Sequence, residues 1–320
     1  MALTHSDPMA FRGNARSQVR RLLPPKRTKR ERAEARSFYA CVSPWLIGFL
    51  LFTAGPVAYL LYVSLTNQHN VGSPSQFVGL ANYRAAIDDP YFRQALVDTV
   101  YYTACVVPSS LVFSLVIAVA LNRRIRGRTL FRTIFYLPVV TPVVGASVLW
   151  LWLLNPQVGI INQILQLVGI HGPGWLASPT WSRPGLILMG VWGGIGAQMV
   201  IYLAALQGVP EELIGAAEVD GASKWQVFWR ITIPMISPAI FFNFVIGVIG
   251  TFQVFTQSFI MTQGGPLGTT TFWVFYIFEE AFSYYNLGYA AALAWLLLIL
   301  VLILTLLEFR YLRRFVHYER

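Results

Sequence analysis

The sequence predicts an all-α, polytopic membrane protein with six transmembrane helices and both termini in the cytoplasm. Three observations predict it. Of 320 residues, 56% are hydrophobic and only 12% charged, about half the charge of an average soluble domain, so a water-soluble fold of this length could not cover its own surface. The charges are also clustered. No Asp, Glu, Lys or Arg lies between Arg36 and Arg84, Asp98 and Arg123, Arg132 and Arg183, Arg183 and Glu211, Arg230 and Glu279, or Glu280 and Glu308. Each of these six apolar windows holds the roughly 20 residues that cross a hydrocarbon core. Finally, 21 of the 24 Lys and Arg residues fall in segments 1–37, 122–133, 207–235 and 308–320, and 3 in the alternating loops 66–98, 155–184 and 261–288. Excess positive charge marks the cytoplasmic side.

The elements follow in order. Residues 1–37 form a basic cytoplasmic tail with ten Lys and Arg from Arg12 to Arg36, rich in Arg, Ser and Pro and without apolar periodicity, which reads as disordered or peripheral. Its position beside the first apolar window makes it a topology signal with some attraction to anionic lipid, and not a nucleic-acid arm. The six spans are placed at about 38–65, 99–121, 134–154, 185–206, 236–260 and 289–307, making a domain of 38–307 followed by a cytoplasmic tail, 308–320. Trp150, Trp152, Trp175 and Trp181 cluster at the exit of the third span and the entry of the fourth, as an external interface belt would.

The chemistry of an enzyme is missing. No acid, base or histidine sits at mid-depth in a span, where ion-coupled carriers place their relays; His5, His69, His171 and His317 lie in tails or loops. None of the three lysines follows a glycine-rich phosphate loop. No nucleophile with a base, carboxylate pair or metal cluster is recognisable. The expectation is a non-enzyme that binds no metal and no cofactor of its own.

The loop 207–235 is the most informative segment. Pro210 suits the start of a helix, Glu211 and Glu212 complement its positive end, and Gly221 can take the positive φ that closes it. A second amphipathic piece with Trp225, Phe228 and Trp229 runs to Pro234. Ala216-Ala217, three residues, Gly221, nine residues, then Ile231-Thr232-Ile233-Pro234 resembles the EAA loop of ABC-importer permeases. Gly215 stands where that family has Glu, and Ile233 where it has Leu. Phe77-Val-Gly-Leu-Ala-Asn-Tyr83, Leu137-Pro138, Gly159-Ile-Ile-Asn162, Gly264-Gly-Pro266 and Gly288-Tyr-Ala-Ala-Ala292 extend the resemblance to sugar-importer permeases of the maltose and glycerol-3-phosphate type.

The resemblance implies one half of a two-permease pore. Its partners are a second homologous permease, two cytoplasmic ABC ATPase subunits that hold ATP and Mg, an external solute-binding protein, a sugar and membrane lipid. A helix at about 211–224 would seat on the ATPase through Glu211, Glu212, Gly215, Ala216, Ala217, Glu218, Asp220, Gly221 and Lys224. The family's pocket falls on Val139, Val143, Gly190, Gly193, Gly194, Ala197, Gly247, Gly250 and Thr251, with Gln198 as an added polar contact. None of these is cationic, which favours a neutral sugar over glycerol-3-phosphate or another polyol.

Overall fold

The computed structural model describes residues 29–123 and 126–311. The chain divides into two compact units, 1–59 and 60–320. In the first, α1 (Lys29–Phe49) begins within the stretch read from sequence as a peripheral tail, whose residues 1–28 lie outside the described part. It runs through a π-helical turn, Leu50–Ala54, into α2 (Gly55–Ser64). Pro56 explains the turn. Without an N–H it cannot complete the ladder four residues back, and Gly55 N–H bonds instead to Leu50 O, five back.

The regular structure among the second unit's described residues is helical, apart from one isolated antiparallel bridge, Thr66 with Phe77. After α3 (Ala81–Asp88) come α4 (Pro90–Asn122), α5 (Arg128–Val140), α6 (Val143–Leu153) and α7 (Ile160–Leu167). Next are α8 (Ser182–Gln207), α9 (Glu211–Val219), α10 (Lys224–Val227), α11 (Ile233–Met235) and α12 (Ser237–Phe252). The last are α13 (Thr256–Met261), α14 (Trp273–Phe278) and α15 (Leu287–Tyr311). Four continuous helical stretches, Arg36–Ser64, Pro90–Asn122, Ser182–Gln207 and Leu287–Tyr311, are long and apolar enough to cross a membrane. Two more spans arise only if bent pairs are each counted as one: α5 with α6, bent by 104°, and the 224–235 segment with α12, bent by 63°.

The third span, expected to run unbroken over 134–154, is therefore corrected. Thr141 precedes Pro142 and is driven out of the helical region, to φ −82°, ψ 123°. The fifth, expected over 236–260, turns at Ile236 ahead of Pro238, stops at Phe252 and resumes only at Thr256. Continuous apolar composition hides such breaks.

α4 and α8 pack along each other at the centre, with α12 on α4, α5 on α8, and α6 on α13. Their seam is polar at one level. Gln198 Nε2 donates to Ser110 Oγ at 3.2 Å, Ser114 Oγ donates to Gln198 Oε1 at 3.1 Å, and Asn243 Nδ2 reaches the Gln198 carbonyl at 3.4 Å. In a membrane such groups must be satisfied inside the bundle.

Several resembling motifs prove to be joints. Asn82 Nδ2 donates to both Ser64 O and Thr66 O, at 2.9 and 2.8 Å. Asn162 Nδ2 ties Pro156 O to Pro173 O, while its Oδ1 accepts from Trp175 Nε1 at 2.6 Å. Gly288 lies so close to the Thr66 carbonyl that a Cβ would overlap it. Trp150 and Trp175 are buried in the core with Tyr102, Leu154 and Met189 as packing residues, whereas Trp152 and Trp181 are exposed. Outside the spans, Asp89 Oδ2 accepts from Tyr276 and Tyr289, both at 2.6 Å. Burial pushes this carboxyl up, but the phenol and backbone hydrogen bonds outweigh it and hold it below the usual carboxylate range.

One ion pair braces α4, α8 and the 262–271 loop. Asp98 is fully buried, and Arg183 Nη2 lies 2.6 Å from its Oδ1, out of line for a good hydrogen bond. Gln94 donates to Oδ2 at 3.0 Å, and Arg183 Nε donates to Thr269 O at 2.9 Å. Arg183→Ala leaves a carboxylate buried without its cation and is expected to cost about 3–5 kcal/mol. The measurement is the thermal midpoint of the purified chain beside the Arg183→Ala, Asp98→Asn double variant, which is expected to recover much of the loss. Equal midpoints for wild type and Arg183→Ala would discard the brace.

Candidate functional site

A cavity of about 420 Å³ lies where the interrupted elements meet, within the roughly 300–1,000 Å³ of small-molecule sites. Its walls come from the α5–α6 break (Pro138, Val139, Thr141, Val143), the small-residue face of α8 (Gly190, Gly193, Ala197), the end of α12 (Gly250, Thr251) and the α12–α13 link (Gln253 to Gln257). Each wall has a local cause. Proline ends α5, glycines thin α8, and the chain between Phe252 and Thr256 leaves the helix, with Phe255 at φ −139°, ψ −60°. Irregular backbone at membrane depth is tolerated where it lines such a space.

Seven of the ten residues expected from sequence line this cavity: Val139, Val143, Gly190, Gly193, Ala197, Gly250 and Thr251. Gly194, Gln198 and Gly247 do not. A Cβ on Gly194 would sit 3.3 Å from Ser110 Cβ, and one on Gly247 3.4 Å from Val107 Cγ1, so both permit close helix packing. Gln198 has both ends of its amide taken by serines of α4. The sequence places Gly190, Gly193 and Gly194 together in the pocket; helical phase, visible only once α4 is placed, separates Gly194 from the other two.

The lining also holds residues outside that set of ten. Tyr102, Trp192 and Phe255 supply aromatic surface, and Gln253, Thr256 and Gln257 supply uncharged polar groups. Trp192 meets Trp150 edge-on at 5.9 Å. Tyr102 lies against Gly190 so closely that any side chain there would collide with its hydroxyl. The Thr251 hydroxyl is turned back to Gly247 O at 2.8 Å, so what it offers the cavity is acceptor capacity. Among the described residues, no Asp, Glu, Lys or Arg lines the space.

The second feature is the 207–235 loop. α9 rests on the bundle through Ile214, which packs against the cluster of Leu203, Leu206 and Ile236. Glu211, Glu212, Gly215, Ala216, Glu218, Asp220, Gly221 and Lys224 all face outward, and Ala217 is half-buried. The outward surface is partly apolar, with Val219 89% and Trp225 69% exposed. Gly221 has φ +83°; its N–H bonds Glu218 O, and Ala222 N–H bonds Ala217 O at 2.9 Å, the paired contacts of a Schellman C-cap. α9 ends at Val219, short of the 224 expected. Ser223 then opens α10 with a capping box to Gln226, a signal legible in Ser223-Lys-Trp-Gln226 but not read from the sequence. The Asp220 carboxylate has no partner among the described residues. A Cβ on Gly215 meets nothing within 4 Å, so this position has room for the glutamate its resemblance lacks.

Residues 110–317 match the family described as binding-protein-dependent transport system inner membrane component. The chain belongs to that family. This permease is 38% identical over 299 residues to the probable ABC transporter permease protein YesP of Bacillus subtilis (strain 168), spanning 92% of the chain and 96% of that protein. It is 33% identical over 284 residues to the sn-glycerol-3-phosphate transport system permease protein UgpA of Salmonella typhimurium (strain LT2), spanning 88% and 95%. Its fold superimposes with a TM-score of 0.78 and 24% identity on a chain of a bacterial alginate ABC transporter crystallised with an alginate pentasaccharide-bound periplasmic protein, covering 90% of this chain and 98% of that one. The permease is thus a multi-pass component of the inner membrane and a transport subunit, not an enzyme.

Proposed function

We propose that this permease forms half of the translocation pore of an ATP-driven importer for a sugar, with six spans and both termini in the cytoplasm. The observation that carries the reading is the central cavity: two helix breaks and a glycine face enclose aromatic surface and uncharged amides and hydroxyls, the groups that bind a carbohydrate. The solute named for the UgpA relative carries a phosphate, which calls for Arg or Lys; the lining has neither, which favours a neutral sugar. The chain contributes no ATP or Mg site. Those belong to two ATPase subunits engaged by the outward surface of α9 and the Gly221 turn, while a second permease completes the pore and an external binding protein delivers solute. Closure of the ATPases then rocks the helices between inward- and outward-open states.

The test reconstitutes the permease with its partner permease, ATPases and binding protein in liposomes. Uptake of a neutral oligosaccharide is expected to require ATP and the binding protein together; uptake driven by an ion gradient alone would end the importer reading. Orientation is read on a thiol-free background in intact cells. Ser75→Cys and Ile170→Cys are expected to react with an impermeant reagent and Glu212→Cys not to; the reverse pattern would invert the topology.

A further inference from the structure

Arg128 and Arg132 stand one turn apart on α5 and therefore share a face. Both guanidinium groups converge on one neutral acceptor at the end of α8. With its amide oxygen turned toward them, Gln207 accepts from Arg128 Nη2 at 2.9 Å and Arg132 Nη2 at 3.2 Å. Like charges brought this close repel, and no carboxylate relieves them. The ion pairs among the described residues are Arg30 with Glu34 and Arg183 with Asp98. The Nε atoms of both arginines are buried with no acceptor. Two positive charges and two unsatisfied donors share one place.

Beside them opens a cleft of about 480 Å³ between α5 and α8. Arg132, Thr133 and Gln207 form its polar part, and Tyr136, Val200, Leu203 and Ala204 its largely apolar remainder. A charged end that runs into an apolar wall matches an amphiphile and not a small free anion. We propose that Arg128 and Arg132 hold the phosphate of an anionic phospholipid, whose acyl chain lies along the Tyr136–Val200 wall. The inference rests on the cytoplasmic placement of this end of the bundle in the preceding section. There the arginines lie at the headgroup level of the leaflet richest in anionic lipid, and a guanidinium pair is suited to a phosphate diester. An acidic solute in transit fits less well, since it would cross the uncharged central cavity unpaired. Gln207 is the last residue of α8, and α9 begins at Glu211. A bound headgroup thus steadies the entry to the segment proposed to meet the ATPase.

The experiment takes the assembled complex in detergent, exchanges it into phosphatidylglycerol and counts retained lipid by native mass spectrometry. Wild type is expected to keep one phosphatidylglycerol that Arg128→Gln, Arg132→Gln loses, with bound fraction down about tenfold or more. Arg128→Lys, Arg132→Lys keeps the charge without the planar fork, so partial retention is expected there even if the glutamine variant assembles poorly. Arg123→Gln removes a cation outside the cleft and is expected to retain the lipid. Equal retention in the wild type and the glutamine variant overturns the proposal. So does displacement by inorganic phosphate, which marks a small-anion site, or by the transported sugar, which marks the solute route. A lipid present on the permease alone but absent once the ATPases bind assigns the arginines to a subunit contact and also overturns it. Uptake tests the importer reading separately: ATP-dependent transport in a complex that retains no such lipid leaves that reading standing.

Discussion

Leucine at Gly193 or Gly250 is expected to reduce solute uptake to background while leaving the permease folded and assembled. At both positions a Cβ meets no atom within 4 Å, and both line the central cavity. The new side chain therefore enters empty space and obstructs the route without straining its neighbours. Gly194→Leu and Gly247→Leu form the contrasting pair. Their Cβ atoms would lie 3.3 and 3.4 Å from α4 side chains, so leucine there overpacks the helix seam, at about 1–3 kcal/mol. The measurement pairs uptake in the reconstituted complex with the thermal midpoint of each variant. The cavity pair is expected to keep the wild-type midpoint and lose transport, the seam pair to lose stability first. Wild-type uptake in both Gly193→Leu and Gly250→Leu would move the pathway out of this cavity.

Gly221→Asp is expected to uncouple the permease from its ATPase while membrane insertion persists. At φ +83° an L side chain pays roughly 1–2 kcal/mol, and the Schellman cap that ends α9 loosens accordingly. The space around Gly221 is open, so the strain is conformational and not a clash. The substitution also sets a second carboxylate beside the exposed, unpartnered Asp220, on a surface proposed to be covered. Gly221→Asn separates the two effects, since asparagine tolerates the left-handed conformation and adds no charge. Co-purification of the ATPase and solute-stimulated ATP hydrolysis are expected to fail for Asp and largely to survive for Asn. If the Asp variant retains both at wild-type levels, α9 and its turn are an interfacial loop and nothing more.

What could be read in advance divides along physical lines. Membrane character, helical class and the approximate positions of the four continuous stretches followed from composition and charge spacing, because burying apolar residues in lipid is a demand each segment meets by itself. The Gly221 turn was equally local: a cap is set by a few consecutive residues, and only glycine takes that φ without strain. The breaks at Thr141–Pro142 and Phe252–Thr256 were not foreseen, although Pro142 was in plain view. An apolar window has the same composition whether its helix is straight or bent by 104°.

The sequence by itself determined that this chain lies in a membrane and that a helix closes at Gly221. Tertiary structure alone decided which glycines open a cavity and which close a seam, that Gln198 is spent on serines of α4, and that Asp98 meets Arg183 across 85 residues of chain. It also decided that Trp150 and Trp175 belong to the core. The reason is the same in each case. A side chain's environment inside a bundle depends on the rotation of its helix against neighbours distant in sequence, and one residue's step around a helix, about 100° at 3.6 residues per turn, turns a pore wall into a packing contact.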